Sequence, residues 1–180
     1  MPPACALFIL ALNDEVLRPG LINEIGIWTL ERACRDWNTL KKYTHFAQPF
    51  FNVNLSLSQL NSESLVSEVQ GILKSQNINP AEQKLELTES VMIEQHENAL
   101  KVMQALTGVG CTLALDDYGA GHSGLTNLQR YPFNAVKIDR AFVNLVLVST
   151  QSQEIVRSSI LLSHSLGMKV VAEGIETEGV

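Results

Sequence analysis

The chain has 180 residues, 46% of them hydrophobic and 18% charged, with a formal net charge of −6. This composition excludes a disordered chain and fits one compact domain with a sizeable core. The negative balance excludes a broad face for DNA or for an anionic membrane, but not a small anionic substrate held through cations.

The first apolar stretch, Ala6 to Leu12 (ALFILAL), follows no Lys or Arg. It falls far short of the ~20 residues of a membrane span and reads as core, so a cytoplasmic protein with no membrane segment is expected. Cys5, Cys34 and Cys111 are too widely spaced for a disulfide framework or a CxxC metal site, and read as reduced core residues. An amphipathic stretch from about Leu21 to Leu40 predicts a helix with Ile27, Leu30, Cys34 and Trp37 inward; Trp28 also reads as core.

Beyond it, short apolar runs alternate with amphipathic stretches. The runs Phe50 to Ser56 (FFNVNLS), Lys84 to Ser90 (KLELTES), Cys111 to Asp117 (CTLALDD), Ala135 to Arg140 (AVKIDR) and Met168 to Glu173 (MKVVAE) predict strands buried on both faces. Leu65 to Leu73, Ala99 to Leu106 and Ile155 to Leu166 place residues at i, i+3, i+4 steps and predict helices. In the last, Ile155, Val156, Ser159, Ile160, Leu162, Ser163 and Leu166 form the inward stripe. Gly110 and Gly167 are placed to stop helices. The alternation implies βαβ crossovers and a parallel sheet. No GxGxxG or Walker-type loop follows the strands, and the chemistry lies at strand ends, which favours a TIM-like (β/α) barrel over an open sheet.

Those strand ends carry Asn54, then Glu86 and Glu89, then Asp116 and Asp117, then Lys137, then Glu173 with Glu176 just beyond. In a parallel barrel all strand C-termini open on one face, so these groups are expected to converge. Clustered carboxylates repel one another unless cations neutralise them, and oxygen donors suit Mg²⁺ or Mn²⁺ rather than a thiolate-type zinc site. Two such ions about 3.5–4 Å apart suit hydrolysis of a phosphodiester. Lys137 would orient a water and balance charge; its plainer alternative is a strand-end lysine reaching to solvent. Singly, each acid has an ordinary reading as a turn former or helix N-terminal residue. Their recurrence in successive βα units favours a shared site. The loop Asp117 to Leu125 (DYGAGHSGL) has three glycines and suits closure over a ligand. His122 within it reads as an exposed loop histidine or a proton shuttle, and His45, His96 and His164 show no ligand spacing.

The ordered runs NLSLSQ, LELTES, LALDDYGAGHSGL, VKIDRAF and VVAEGIETE resemble the EAL domain, the bacterial cyclic di-GMP phosphodiesterase, from about Ile25 to Val180. The resemblance implies an incomplete TIM-like (β/α) barrel over residues 25–180 with an irregular, non-family segment at 1–24. By resemblance, Asn54, Glu86, Asp116 and Asp117 are metal ligands, Lys137 holds the catalytic water, and Glu173 is a catalytic-site glutamate. Glu89 steadies the glycine-containing loop, and Gln59 and Glu176 are candidate substrate-binding residues. The family hydrolyses cyclic di-GMP to linear pGpG with Mg²⁺ or Mn²⁺ in second-messenger signalling. Its members often form homodimers, and a sensory or GGDEF domain is an expected neighbour in the parent protein.

The chain departs from the pattern in several places. The name-giving Glu-Ala-Leu run is absent, and Glu15 stands in a different context, NDEVLR. One metal ligand is therefore expected to be missing. A QGY-like final strand would fall beyond Val180. Tyr118, His122 and Asn134 replace a Phe, a Tyr and an Asp. These departures keep open a catalytically inactive EAL-like module that binds cyclic di-GMP or a protein partner. Acidic strand ends alone would also allow an enolase-like or aldolase-like metal enzyme.

Overall fold

A computed structural model describes residues 20–45, 47–93, 97–119 and 128–175. Cys5, the Ala6 to Leu12 run, Glu15, His96, His122 with most of its loop, and Glu176 lie outside the described residues. In chain order the main elements are α1 (Leu21–Leu40), β1 (Phe51–Asn54), α2 (Leu57–Leu60), α3 (Leu65–Ser75), β2 (Gln83–Thr88), α4 (Ser90–Ile93), α5 (Glu97–Val109), β3 (Thr112–Tyr118), β4 (Ala135–Ile138), α6 (Arg140–Val143), α7 (Thr150–Ser165) and β5 (Lys169–Ala172). All five expected strands are present, in sheet order β1-β2-β3-β4-β5. The pairings of β1 with β2, β3 with β4 and β4 with β5 are parallel. The chain divides into two compact units: one runs to Glu86 and includes Glu97–Thr112, the other starts at Leu87 and resumes at Leu113.

In the first unit, α1 buries Ile22, Leu30, Ala33, Cys34 and Trp37. Trp37 packs against Phe51 of β1 at 5.4 Å between ring centroids, and its indole N–H donates to Glu82 Oε2 at 2.6 Å. The indole thus buries its apolar body and keeps a partner for its polar edge. Trp28 does not join the core: it is 62% exposed. Two residues before Leu30, it lies about 200° around the helix from the buried stripe. Ile27, at the stripe's edge, is only half-buried. Cys34 and Cys111 are buried free thiols. Burial pushes Cys34 up to about 12, helped by Cys111 and Glu31, and Cys111 up to about 11, so both stay protonated core residues.

In the second unit, every residue of β4 is buried, as a strand covered on both faces requires. β5 is not: its residues are exposed or half-buried, against expectation. The predicted inward stripe of α7 holds at Ser159 and Ser163 and is corrected at its apolar members. Ser152, Ser159 and Ser163 are its buried residues, while Ile155, Val156, Ile160 and Leu162 are half-buried and Leu161 is exposed. Ser159 satisfies its own Oγ by donating to the Ile155 carbonyl at 2.8 Å. Gly110 and Gly167 end α5 and α7 at φ 106° and 75°, a region glycine enters without strain. Among the described residues no helix is long and apolar enough to cross a membrane.

Candidate metal centre

Neighbouring side chains on a regular strand point to opposite faces, so Asp116 and Asp117 on a regular β3 would diverge. The strand is irregular there. Its register with β4 shifts between Leu115 and Tyr118, and Asp117 takes a left-handed φ of 54°. A bulge of this kind re-aims side chains, and aspartate is among the non-glycine residues that tolerate the left-handed region. As a result one carboxylate oxygen from each of Asp116, Asp117 and Glu173 lies within 4.8 Å of the other two. Backbone strain of this kind concentrates at functional sites.

Glu173 reaches the cluster from the end of β5, where its backbone N–H donates to the Ile138 carbonyl at 3.2 Å. The turn after it needs glycine. Gly174 has φ 76°, and a Cβ there would come within 2.9 Å of the Arg140 Cβ.

Lys137 comes from the buried β4 and is 4% exposed. Its Nζ lies 2.8 Å from Asp116 Oδ1 and 2.7 Å from Glu173 Oε1. The solvent-reaching alternative for this lysine is thereby removed; the ammonium bridges two carboxylates of the cluster. One ammonium facing three acids leaves repulsion. Asp117 is held above its ordinary carboxylate range, first by burial, then by Asp116, Asp139 and Glu173, with Lys137 opposing. Asp139 is not marked by the strand-end pattern, although it stands one residue beyond β4. Its side chain also accepts from the Ala141 N–H at 2.6 Å, capping α6. Three carboxylates, with no thiolate or imidazole in the group, fit a hard divalent cation, which would also relieve the repulsion raising Asp117.

The first unit holds the other predicted ligands. Asn54 ends β1 directly opposite Glu86 on β2, and the Leu55 N–H donates to the Glu86 carbonyl at 2.8 Å. Glu86 is 2% exposed, and its Oε1 accepts a 2.6 Å hydrogen bond from Asn52 Nδ2. Asn52 is not among the residues expected at the site, yet the sequence carries a signal for it: in FNVN it lies two residues before Asn54 and so shares its strand face.

The remaining predicted residues divide. Gln59 is a buried helix cap: its Oε1 accepts from the Ser56 N–H at 2.9 Å, completing a reciprocal capping box, and its amide packs where any side chain at Gly26 would sit. Glu89 is 6% exposed beyond β2. The Tyr118 phenol is pushed up by burial and then by Glu89, which places that acid near the start of the glycine-containing loop. Glu176 lies outside the described residues.

The EAL domain family model matches residues 14–180. This chain belongs to the EAL domain family. A relative in Pseudomonas aeruginosa, the bifunctional diguanylate cyclase/cyclic di-GMP phosphodiesterase MucR, is 35% identical over 161 residues, covering 89% of this chain and 23% of MucR. The solved cyclic di-GMP complex of the PaMucR phosphodiesterase matches with a TM-score of 0.81 at 36% identity, over 89% of this chain and 64% of that one. The manganese/cyclic di-GMP complex of Klebsiella pneumoniae BlrP1 matches with a TM-score of 0.78 at 29% identity, over 86% and 39%. The EAL chain spans 19% to 23% of the length of curated relatives that it matches. The α/β, TIM-like fold expected from the sequence agrees with these EAL neighbours and with the parallel strands.

Proposed function

We propose that this EAL chain hydrolyses cyclic di-GMP to linear pGpG with Mg²⁺ or Mn²⁺, as part of a bacterial signalling protein. The single observation that carries the reading is the Asp116, Asp117, Glu173 oxygen cluster with Lys137 bridging two of its members. The relatives named cyclic di-GMP phosphodiesterases, and the neighbours solved with that dinucleotide, support the choice of substrate. A manganese complex among those neighbours supports the choice of ion.

When bound, divalent ions supply Lewis acidity toward phosphoryl oxygens and lower the pKa of water. The chain's own residues do the rest. Asp116 and Asp117 would hold a metal at the bulged end of β3, and within the first unit Asn54 and Glu86 would take the ligand roles that the family resemblance assigns them. Lys137, fixed by Asp116 and Glu173, orients the attacking water and limits the build-up of negative charge. Glu173 holds the lysine and shares its charge. Glu89 steadies the loop that begins at Tyr118. A homodimer and an attached sensory or GGDEF domain complete the proposed setting.

A second reading is a module that binds cyclic di-GMP or a protein partner without turnover. One experiment separates the two: incubate the full chain with cyclic di-GMP and Mn²⁺ or Mg²⁺, then resolve the nucleotides by chromatography. The first reading expects pGpG, lost on chelation and in Lys137→Met. Calorimetric binding of cyclic di-GMP without any product from folded protein would favour the second. Neither product nor binding would overturn the proposed substrate.

A further inference from the structure

We infer that Asn52 is a positioning residue for Glu86, fixing through its N–H the orientation of a carboxylate that would ligate a divalent cation. The inference rests on the metal-dependent reading above and adds a residue to it. Along β1, Asn52 and Asn54 share one face of the strand, while Phe51 and Val53 occupy the other. Asn54 pairs in register with Glu86, and Asn52 pairs with Lys84, so Asn52 meets Glu86 on the diagonal. Its Nδ2 donates to Glu86 Oε1 at 2.6 Å, as short as a hydrogen bond to a charged acceptor. Both residues are more than nine-tenths buried.

The rest of the Asn52 side chain argues against a purely structural role. Among the described residues its buried Oδ1 has no hydrogen-bond partner. An aliphatic side chain of similar size would fill the space without that orphaned acceptor. What the amide contributes, and an aliphatic group could not, is the N–H aimed at Glu86. Groups that hydrogen-bond a ligating carboxylate fix its orientation, and losing one typically weakens metal binding about 10–100-fold.

The test is calorimetric titration of the metal-free full chain with Mn²⁺ alone, together with thermal unfolding in chelator. The proteins are wild type, Glu86→Gln, Asn52→Leu and Asn52→Ala, the alanine variant serving if leucine prevents folding. The expected result is binding by wild type, loss of that binding in Glu86→Gln, and a Kd raised about 10–100-fold in a cooperatively folded Asn52 variant. A structural role alone would lower the melting temperature and leave the Kd of the folded protein where it was. A Kd that is unchanged or tighter in the Asn52 variants, with binding lost in Glu86→Gln, would overturn the inference and leave the metal reading standing. Absence of Mn²⁺ binding by wild type, or full affinity in Glu86→Gln, would overturn both.

Discussion

At the end of β3 the carboxylates of Asp116 and Glu173 are held by a full positive charge, the Lys137 ammonium at 2.8 and 2.7 Å. On β2 the Glu86 carboxylate accepts from a neutral amide, Asn52, at 2.6 Å. The first arrangement is partly open to water, with side-chain exposures of 16% for Asp116 and 24% for Glu173. The second is almost sealed, with Glu86 at 2%. The difference is one of purpose. Burial raises Asp117, the neighbouring acids raise it further against one lysine, and the cluster calls for further positive charge. Glu86 is fixed in direction by Asn52, which the ligand role proposed for it would need as much as charge.

The strongest way to break this comparison is Lys137→Met. It removes the cation that the structure sets between Asp116 and Glu173, and should cost about 3 kcal/mol in urea unfolding of the metal-free protein. A loss below about 1 kcal/mol would mean that water, not Lys137, screens the cluster. Second is the pH profile in chelator. Asp117 binds its proton more tightly folded than unfolded, so its contribution is fully present below the ordinary carboxylate range and is lost as pH rises through the raised value. Asp117→Asn should flatten that fall, and adding Mn²⁺ should reverse it above this range. A profile identical in wild type and variant would remove Asp117 from the account. Third is Glu86→Gln, which keeps an acceptor for Asn52 and should leave metal-free stability within about 1 kcal/mol of wild type. A loss near that of Lys137→Met would make the two sites alike. The smallest effect belongs to the exposed Trp28: Trp28→Ala should stay within about 0.5 kcal/mol and leave Mn²⁺ binding untouched, a control for both sites.

Much of this is legible in the amino-acid sequence. Strand runs such as KLELTES and AVKIDR carry a short apolar pattern that local chemistry alone decides, and the five strands appear where those runs stand. Strand ends are equally readable, because alternation and chain position place Asn54, Glu86, Asp116 and Lys137 without knowledge of partners. Legibility fails where tertiary packing decides. Trp28 is apolar but points away from the stripe of α1, and α7 buries serines rather than its isoleucines. The bulge that brings Asp116 and Asp117 to one side is a backbone irregularity with no mark in the letters DD. For Asn52 the letters FNVN give only its strand face, and its hydrogen bond to Glu86 becomes readable only when the partner across the strand is known.

The most direct test is electron paramagnetic resonance of Mn²⁺ added to the metal-free full chain. Wild type should quench the free-ion signal, and Asp116→Asn and Asp117→Asn should each restore much of it. A free-ion signal undiminished by wild type, or quenching that survives both substitutions, would contradict the claim that these carboxylates gather to hold a divalent cation.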